Sequence, residues 1–217
     1  MMKQEDYQFV QQDKLSEIQR VAAAGLVVES LPQYYEAILR VTANKQQAIT
    51  GMLGIAGGET ENTYAAVRAD GTVTGIVSGV ASRSLKRAQL IDMQTLFREF
   101  TREQRETLQL TLADISRQTQ NVATVGWYLT RISIAPGDRG NGLADALMDI
   151  FFSQSPDAPE YSLHVHKDNA RAISFYHRHG FSFLESENAP DDAIVYRAMH
   201  RNNIAGTTSN LKKEDDE

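Results

Sequence analysis

Apolar residues along the chain follow two spacings, every third or fourth residue in some stretches and every second residue in others. The first spacing predicts helices and the second predicts strands. Ser30, Pro32 and Gln33 carry the signals of a helix start, with Ser30 as the cap. The predicted elements, in chain order, are a strand at 7–11, helices within 15–42, a glycine-rich loop at 51–61, strands at 62–69 and 72–80, helical structure at 90–119, a long strand at 125–134, a helix at 143–151, a strand at 161–166, a helix at 169–179 and strands at 181–185 and 192–199.

Two local signals support this order of elements. Asp70-Gly71 lies between two β-rich runs, and this dipeptide strongly favours a hairpin turn. Thr101 and Gln104 can form a capping box that starts a second helix within the 90–119 stretch. The order predicts an α/β (α+β mixed) fold with one central sheet. We expect a single domain over residues 1–200, with a helical insert at about 90–119, and a disordered polar tail at 201–217.

Composition narrows the function classes. The chain has 217 residues, no cysteine, 22 basic and 28 acidic residues and a formal charge of -6. The absence of cysteine excludes a thiolate nucleophile and a cysteine-based zinc site. The acidic balance argues against a general nucleic-acid binder. No apolar run approaches the ~18 residues of a membrane span, and no signal-peptide pattern is present, so a cytoplasmic protein is the default expectation.

A first chemical signal lies where the long strand ends and the next helix begins, between Ile132 and Ala144. The first N–H groups of a helix have no intrahelical partner, and together with the helix dipole they suit a phosphate or diphosphate. Gly140 and Gly142 have no side chain that would block close approach, and Arg139 adds a cation. A plain tight turn would also explain the glycines, which match neither the Walker A loop nor the dinucleotide-binding fingerprint.

A second signal lies between Leu163 and Phe181. Asn169 can cap the helix that follows it. Tyr176, taken alone, is best interpreted as a core aromatic with a hydrogen-bonded hydroxyl. His164 and His166 point to one face of a strand, but no further ligand stands at an obvious spacing, so we expect no metal. The other histidine pair is expected at the surface: His177 and His179.

Together the two segments resemble the GNAT superfamily of acyl-CoA-dependent N-acyltransferases over residues 124–186. The first family signature, Arg/Gln-x-x-Gly-x-Gly/Ala, is matched by Arg139, Gly142 and Ala144. The second signature, Asn-x-x-Ala-x-x-Phe-Tyr-x-x-x-Gly-Phe, is matched by Asn169, Ala172, Phe175, Tyr176, Gly180 and Phe181.

The resemblance implies a twisted mixed sheet flanked by helices, in which the strand ending at Ile134 and the strand at 161–166 run parallel and splay apart. It implies acetyl-CoA as acyl donor and an amine as acceptor. It implies that Tyr176 protonates the departing thiolate and that a backbone N–H near Ile134 stabilises the oxyanion. The donor-binding residues it implies are Ile132, Ser133, Ile134, Arg139, Gly140, Asn141, Gly142, Leu143, Ala144, Asn169 and Tyr176.

One position departs from the family pattern. Many relatives carry Glu where this chain has Thr130, which cannot act as a general base. Tyr128, His164 or His166 acting through water, or bulk solvent, remain alternatives. The departure leaves a second hypothesis open, a catalytically inactive acyl-CoA-binding regulatory module. The resemblance places acceptor specificity in residues 13–50 and in the insert, but the acceptor, a small molecule or a protein or peptide, and a homodimeric state stay undetermined.

Overall fold

The computed structural model of the protein describes residues 7–42, 45–185 and 193–203. The strands are β1 Tyr7–Gln11, β2 Thr63–Arg68, β3 Val73–Ala81, β4 Trp127–Ile134, β5 Glu160–His166, β6 Ser182–Phe183 and β7 Tyr196–Asn202. The helices of more than three residues are α1 Glu17–Ser30, α2 Pro32–Ile38, α3 Lys45–Thr50, α4 Leu85–Glu99, α5 Arg102–Arg117, α6 Leu143–Ser153 and α7 Ala170–Arg178. The mixed α/β fold is confirmed. Most of the predicted tail, 204–217, lies outside the described residues.

The strands form one seven-stranded sheet in the order β1-β2-β3-β4-β5-β7-β6. All neighbouring strands are antiparallel except β4 and β5, which are parallel. These two pair only from Trp127 opposite Tyr161 to Leu129 opposite Leu163. The predicted splay is therefore confirmed, because the remaining parts of β4 and β5 stay paired only with their outer neighbours, β3 and β7.

The β2–β3 hairpin forms as its turn signal predicts. The Thr72 N–H donates to Asp70 Oδ1 at 2.9 Å, and Gly71 has a φ of +87°. A positive φ is the conformation that glycine adopts without steric cost. This turn joins β2 to β3 and leads into their antiparallel register, with Val67 opposite Val73.

The predicted helix signals fare differently. Thr101 and Gln104 form a capping box at the start of α5, as predicted, and α4 begins earlier than expected, at Leu85. The prediction of Ser30 as a cap is wrong. Ser30 is the last residue of α1, its hydroxyl donates to the Val27 carbonyl, and α2 begins at Pro32. Proline fits the first turn of a helix without help from a serine cap, because the missing N–H would have had no helical partner.

Helices cover both faces of the sheet. One apolar cluster lies between the sheet and α1 to α5 and includes Val27, Ile38 and Leu108. The other lies under α6 and α7 and includes Leu147 and Phe151. Apolar burial against both faces holds β4 and β5 in place although they separate at one end. In the described part of the chain, no helix has the length and apolar character needed to cross a membrane.

At the C-terminal end the strand boundaries differ from the prediction. β6 has two residues, Ser182 and Phe183, and β7 continues through Asn202. The first two residues of the predicted tail therefore belong to the sheet, where Arg201 and Asn202 lie opposite Tyr161 and Glu160.

Candidate active site

A cavity of about 560 Å³ opens where β4 and β5 separate. It is bounded by the ends of these strands, the turn before α6, the helix α7 and the junction of α1 with α2. Most of the predicted site residues line it: Ile132, Ser133, Ile134, Arg139, Gly140, Gly142, Ala144, Asn169 and Tyr176. Residues that lie far apart in the sequence thus meet at one opening in the sheet.

The turn before α6 leaves open space above its backbone. Gly140 and Gly142 have φ values of +82° and +92°, and Gly142 is the N-cap of α6. A Cβ atom built on Gly137, Gly140 or Gly142 would meet no atom within 4 Å. Backbone amides at such a helix start are accessible to an anion that needs close approach.

Two predicted donor-binding residues, Asn141 and Leu143, are not part of the cavity lining. The Leu143 N–H donates to Asn141 Oδ1 at 3.1 Å, and the Leu143 side chain is buried in the core beneath α6. The Asn141 side-chain amide donates to the Tyr7 hydroxyl at 2.9 Å. The side chains of this pair therefore shape the turn from below, and the Leu143 amide is already engaged within the protein.

Charged and capping groups surround the opening. Arg139 Nε donates to the Ile134 carbonyl at 3.0 Å, and its guanidinium lies 3.9 Å from the Glu29 carboxylate. Asn169 Oδ1 accepts from the Ala172 N–H at 3.1 Å, which confirms the predicted cap of α7. Two further arginines of α7, which the sequence analysis did not single out, also line the cavity: Arg171 and Arg178.

Tyr176 lies on α7 with its ring packed edge-on against Phe175 and Phe181. Its side chain is 8% exposed, and burial raises the pKa of its hydroxyl well above the usual range. Within the described residues, no group hydrogen-bonds this hydroxyl. The expected core packing of Tyr176 is confirmed, whereas the expected hydrogen bond has no partner among the described residues, so Tyr176 presents a protonated hydroxyl at the wall of the cavity.

Comparison with known proteins fits this geometry. The family model of the acetyltransferase (GNAT) family matches residues 29–181. This chain belongs to the GNAT acetyltransferase family. It is therefore an acyltransferase, and its family implies acyl transfer from acetyl-CoA. No curated protein sequence matches the chain at a significant level.

Solved acetyltransferase structures share the fold of this GNAT acetyltransferase at low identity. An N-acetyltransferase from Staphylococcus aureus Mu50 is 13% identical, with a TM-score of 0.64 over 86% of this chain and 97% of that chain. A histone acetyltransferase HPA2 and related acetyltransferase from Corynebacterium glutamicum is 16% identical, with a TM-score of 0.56 over 91% of this chain and 96% of that chain. These similarities establish the architecture of the sheet.

Thr130, the position at which the family resemblance led us to expect a glutamate, lies at a β-bulge. The register passes from Leu129 opposite Gly79 to Arg131 opposite Ser78, so Thr130 has no partner on β3. Its hydroxyl donates to the Glu59 carbonyl at 2.8 Å. Thr130 therefore ties β4 to the preceding loop and has no proton-accepting role at the cavity.

A buried carboxylate pair behind this bulge was missed by the sequence analysis. Glu59 Oε2 accepts from Arg131 at 3.0 Å, and Asp92 Oδ2 accepts from the Glu59 N–H at 3.2 Å. Burial, followed by the nearby charge of Glu59, raises the pKa of Asp92 to about 7. Neither carboxylate lines the cavity. No local pattern marks them, because one lies in a glycine-rich loop and the other in a helix with many exposed charges.

His164 and Tyr128 form a hydrogen-bonded pair beside the cavity, with 2.7 Å between the tyrosine oxygen and Nδ1. His164 Nε2 lies 2.5 Å from the Gln120 carbonyl. A carbonyl only accepts, so Nε2 carries the proton. Burial lowers the pKa of His164, so the ring is neutral and Nδ1 accepts from the Tyr128 hydroxyl. The arrangement can pass a proton from Tyr128 to His164.

The remaining histidines show no shared metal site. No group of three or more side chains able to hold a metal ion occurs within 7–42, 45–185 and 193–203. His166 lines the cavity, and its Nδ1 accepts from the Asp168 N–H at 3.2 Å. His177 is exposed, as predicted. His179 is partly exposed, and its Nε2 lies 2.9 Å from Asp145 Oδ1 at the surface.

Proposed function

We propose that this acyltransferase transfers an acetyl group from acetyl-CoA directly to a primary amine of a small molecule or of a protein or peptide. The observation that carries the proposal is the gap between β4 and β5. An open glycine turn and the unbonded hydroxyl of Tyr176 face one cavity at this gap. Such a gap offers unpaired backbone groups and a proton donor to the same ligand.

The donor site combines backbone and charge. In our proposal the pantetheine arm pairs with the edge of β4 at 132–134, where no strand within the described residues pairs on the β5 side. The diphosphate binds the backbone N–H groups around Gly140 and Gly142, and Arg139 supplies a cation. Arg171 and Arg178 extend the positive charge along α7. These three arginines form a local concentration of positive charge in a chain whose formal net charge is -6.

Tyr176 is the proton donor in this proposal. Attack of a neutral amine on the thioester carbonyl gives a tetrahedral intermediate, whose oxyanion a backbone N–H near Ile134 stabilises. Its collapse breaks the carbon–sulfur bond and releases the CoA thiolate. The Tyr176 hydroxyl donates its proton to the departing sulfur, which is easier than release of a bare thiolate. The Tyr176 hydroxyl is protonated at neutral pH, because its pKa lies above the ordinary value of 10, so a proton is available when the thiolate departs.

Tyr128 and His164 are the proton acceptors in this proposal. The amine proton passes through water to the Tyr128 oxygen while Tyr128 gives its own proton to His164 Nδ1. The imidazolium that forms keeps its Nε2–H bond to the Gln120 carbonyl. In this proposal Tyr128 and His164 together perform the general-base function that Thr130 cannot perform.

Thiol release tests the proposal. The purified protein is incubated with acetyl-CoA and a panel of polyamines, aminoglycosides, amino acids and peptides, and free CoA is measured with a thiol reagent. We expect at least one amine to raise thiol release above the amine-free rate. Calorimetric CoA binding without transfer to any amine would instead support the inactive regulatory module. Absence of CoA binding would refute both functions.

A further inference from the structure

A hydrogen-bonded network lies beneath the glycine turn. Tyr7 of β1 lies opposite Arg68 of β2 in the sheet register. Both side chains converge on Asp138 Oδ1: the Tyr7 hydroxyl donates at 3.0 Å and the Arg68 guanidinium forms an ion pair. The Tyr7 oxygen in turn accepts from the Asn141 side-chain amide at 2.9 Å. We call these four residues the turn clamp.

The turn clamp holds the turn before α6 at Asp138 and at Asn141, on either side of two residues of the proposed donor site. Asp138 and Asn141 are held against β1 and β2, and only Arg139 and Gly140 lie between them. Space above Gly140 is open, whereas Asp138 is 5% exposed. A two-residue span fixed at both ends presents its backbone groups in one arrangement before any ligand arrives. Binding then has less conformational entropy to lose.

The turn clamp also compensates the negative charge of Asp138. Asp138 is a carboxylate in a turn that faces the cavity, where it would repel a diphosphate. The hydrogen bond from Tyr7 and the ion pair with Arg68 hold its charge on the β1–β2 side of the turn. Arg68 is kept there although its Nε is buried without a hydrogen-bond partner among the described residues. A buried N–H group without a hydrogen-bond partner lowers the stability of the fold, and the ion pair between Arg68 and Asp138 offsets this cost.

We propose that Tyr7, Arg68 and Asp138 are positioning residues for acyl-CoA binding, which act by fixing and charge-compensating the diphosphate turn from the sheet edge. They contact neither the reacting atoms nor the acyl group. Loss of the clamp therefore weakens donor binding and leaves the chemical step intact. This inference rests on the proposed function, since it assigns the turn to the diphosphate of the donor.

Tyr7→Phe tests the clamp, because it removes one hydroxyl and keeps the ring in the core. We expect the Kd of CoA by calorimetry, and the KM for acetyl-CoA, to rise about tenfold. The kcat at saturating acetyl-CoA stays within about twofold. The matched control is Tyr64→Phe, a tyrosine of the same core whose hydroxyl bonds no group in the described part of the chain. Both variants should melt within about 4 °C of the wild type.

Asp138 provides an independent variant pair. Both Asp138→Asn and Asp138→Ala remove the carboxylate charge, but only the asparagine can still accept from the Tyr7 hydroxyl, so the alanine variant should bind CoA more weakly than the asparagine variant. Equal CoA affinity in the wild type, Tyr7→Phe and Asp138→Ala would overturn the clamp while leaving the proposed function standing. A wild-type protein that binds no CoA would overturn the proposed function itself. A fall in kcat with unchanged KM would also overturn the positioning role.

Discussion

Asp92 makes the stability of the fold depend on pH in an unusual direction. The side chain is 1% exposed, Oδ1 has no hydrogen-bond partner among the described residues, and Oδ2 accepts only the Glu59 N–H. Burial is the largest cause of its raised pKa, the charge of Glu59 adds to it and the charge of Arg131 opposes it. The carboxyl group therefore ionises near pH 7 in the folded protein and near 3.8 in its ordinary environment.

Between these two values the folded protein holds a proton that the unfolded chain has released. The unfolded state binds fewer protons, so the free energy of unfolding decreases as the pH rises through this window and levels off above about 7. Each pKa unit corresponds to about 1.4 kcal/mol, so the whole window corresponds to about 4 kcal/mol. Relaxation and water penetration around the ionised group reduce the expected loss to about 2 kcal/mol.

Asp92→Asn isolates this contribution. The asparagine oxygen can accept the Glu59 N–H, and the side chain does not titrate. Urea unfolding between about pH 4.5 and 8, assay values chosen to span most of the roughly three-unit window, should show the wild type losing about 2 kcal/mol of unfolding free energy relative to the variant. The test compares how steeply the free energy of unfolding changes with pH in the two proteins. A pH-independent cost of burying the asparagine amide therefore does not affect the result. Asp114→Asn, an exposed position paired with Arg117, is the matched control and should parallel the wild type. Parallel curves for Asp92→Asn and the wild type would refute the reasoning.

Three further variants test the site. Tyr176→Phe should lower kcat by ~10²-fold with little change in acetyl-CoA affinity, and unchanged steady-state turnover would remove Tyr176 from the mechanism. Arg139→Glu combined with Gly142→Val should weaken CoA binding by more than about tenfold, because it reverses the charge of residue 139 and places a side chain in the open space above residue 142, where φ is +92°. Unaltered CoA affinity by calorimetry would contradict the placement of the diphosphate. Tyr128→Phe should lower kcat by about tenfold at pH 7, with a loss that shrinks as rising pH deprotonates the amine; a pH-independent loss would contradict the relay to His164.

Local signals in the sequence were sufficient to predict most of the turn and helix residues that line the cleft. Asp70-Gly71 determines the hairpin, and the glycine-spaced segment before α6 and the segment that contains Tyr176 each occupy one continuous stretch. Backbone conformation decides these features, and glycine, proline and capping residues report it directly. The wrong cap at Ser30 shows the limit of such signals, since the same residue types can end one helix or begin the next.

Features that depend on distant parts of the chain could not be predicted. Glu59 and Asp92 meet only because the fold brings a loop and a helix together behind the bulge of β4. Tyr7 reaches Asp138 across 131 positions of the sequence. In the sequence, none of these polar residues differs by its local context from residues exposed to solvent. Their burial and pairing follow from packing, which spacing alone does not encode.

The central claim is that the separated ends of β4 and β5 receive the acyl donor. A crystal structure of the protein with CoA tests it most directly. The account predicts the diphosphate within hydrogen-bond distance of backbone N–H groups in 139–144, the pantetheine arm along 132–134 and the sulfur beside the Tyr176 hydroxyl. CoA bound elsewhere, or β4 and β5 paired along their whole length, would contradict it.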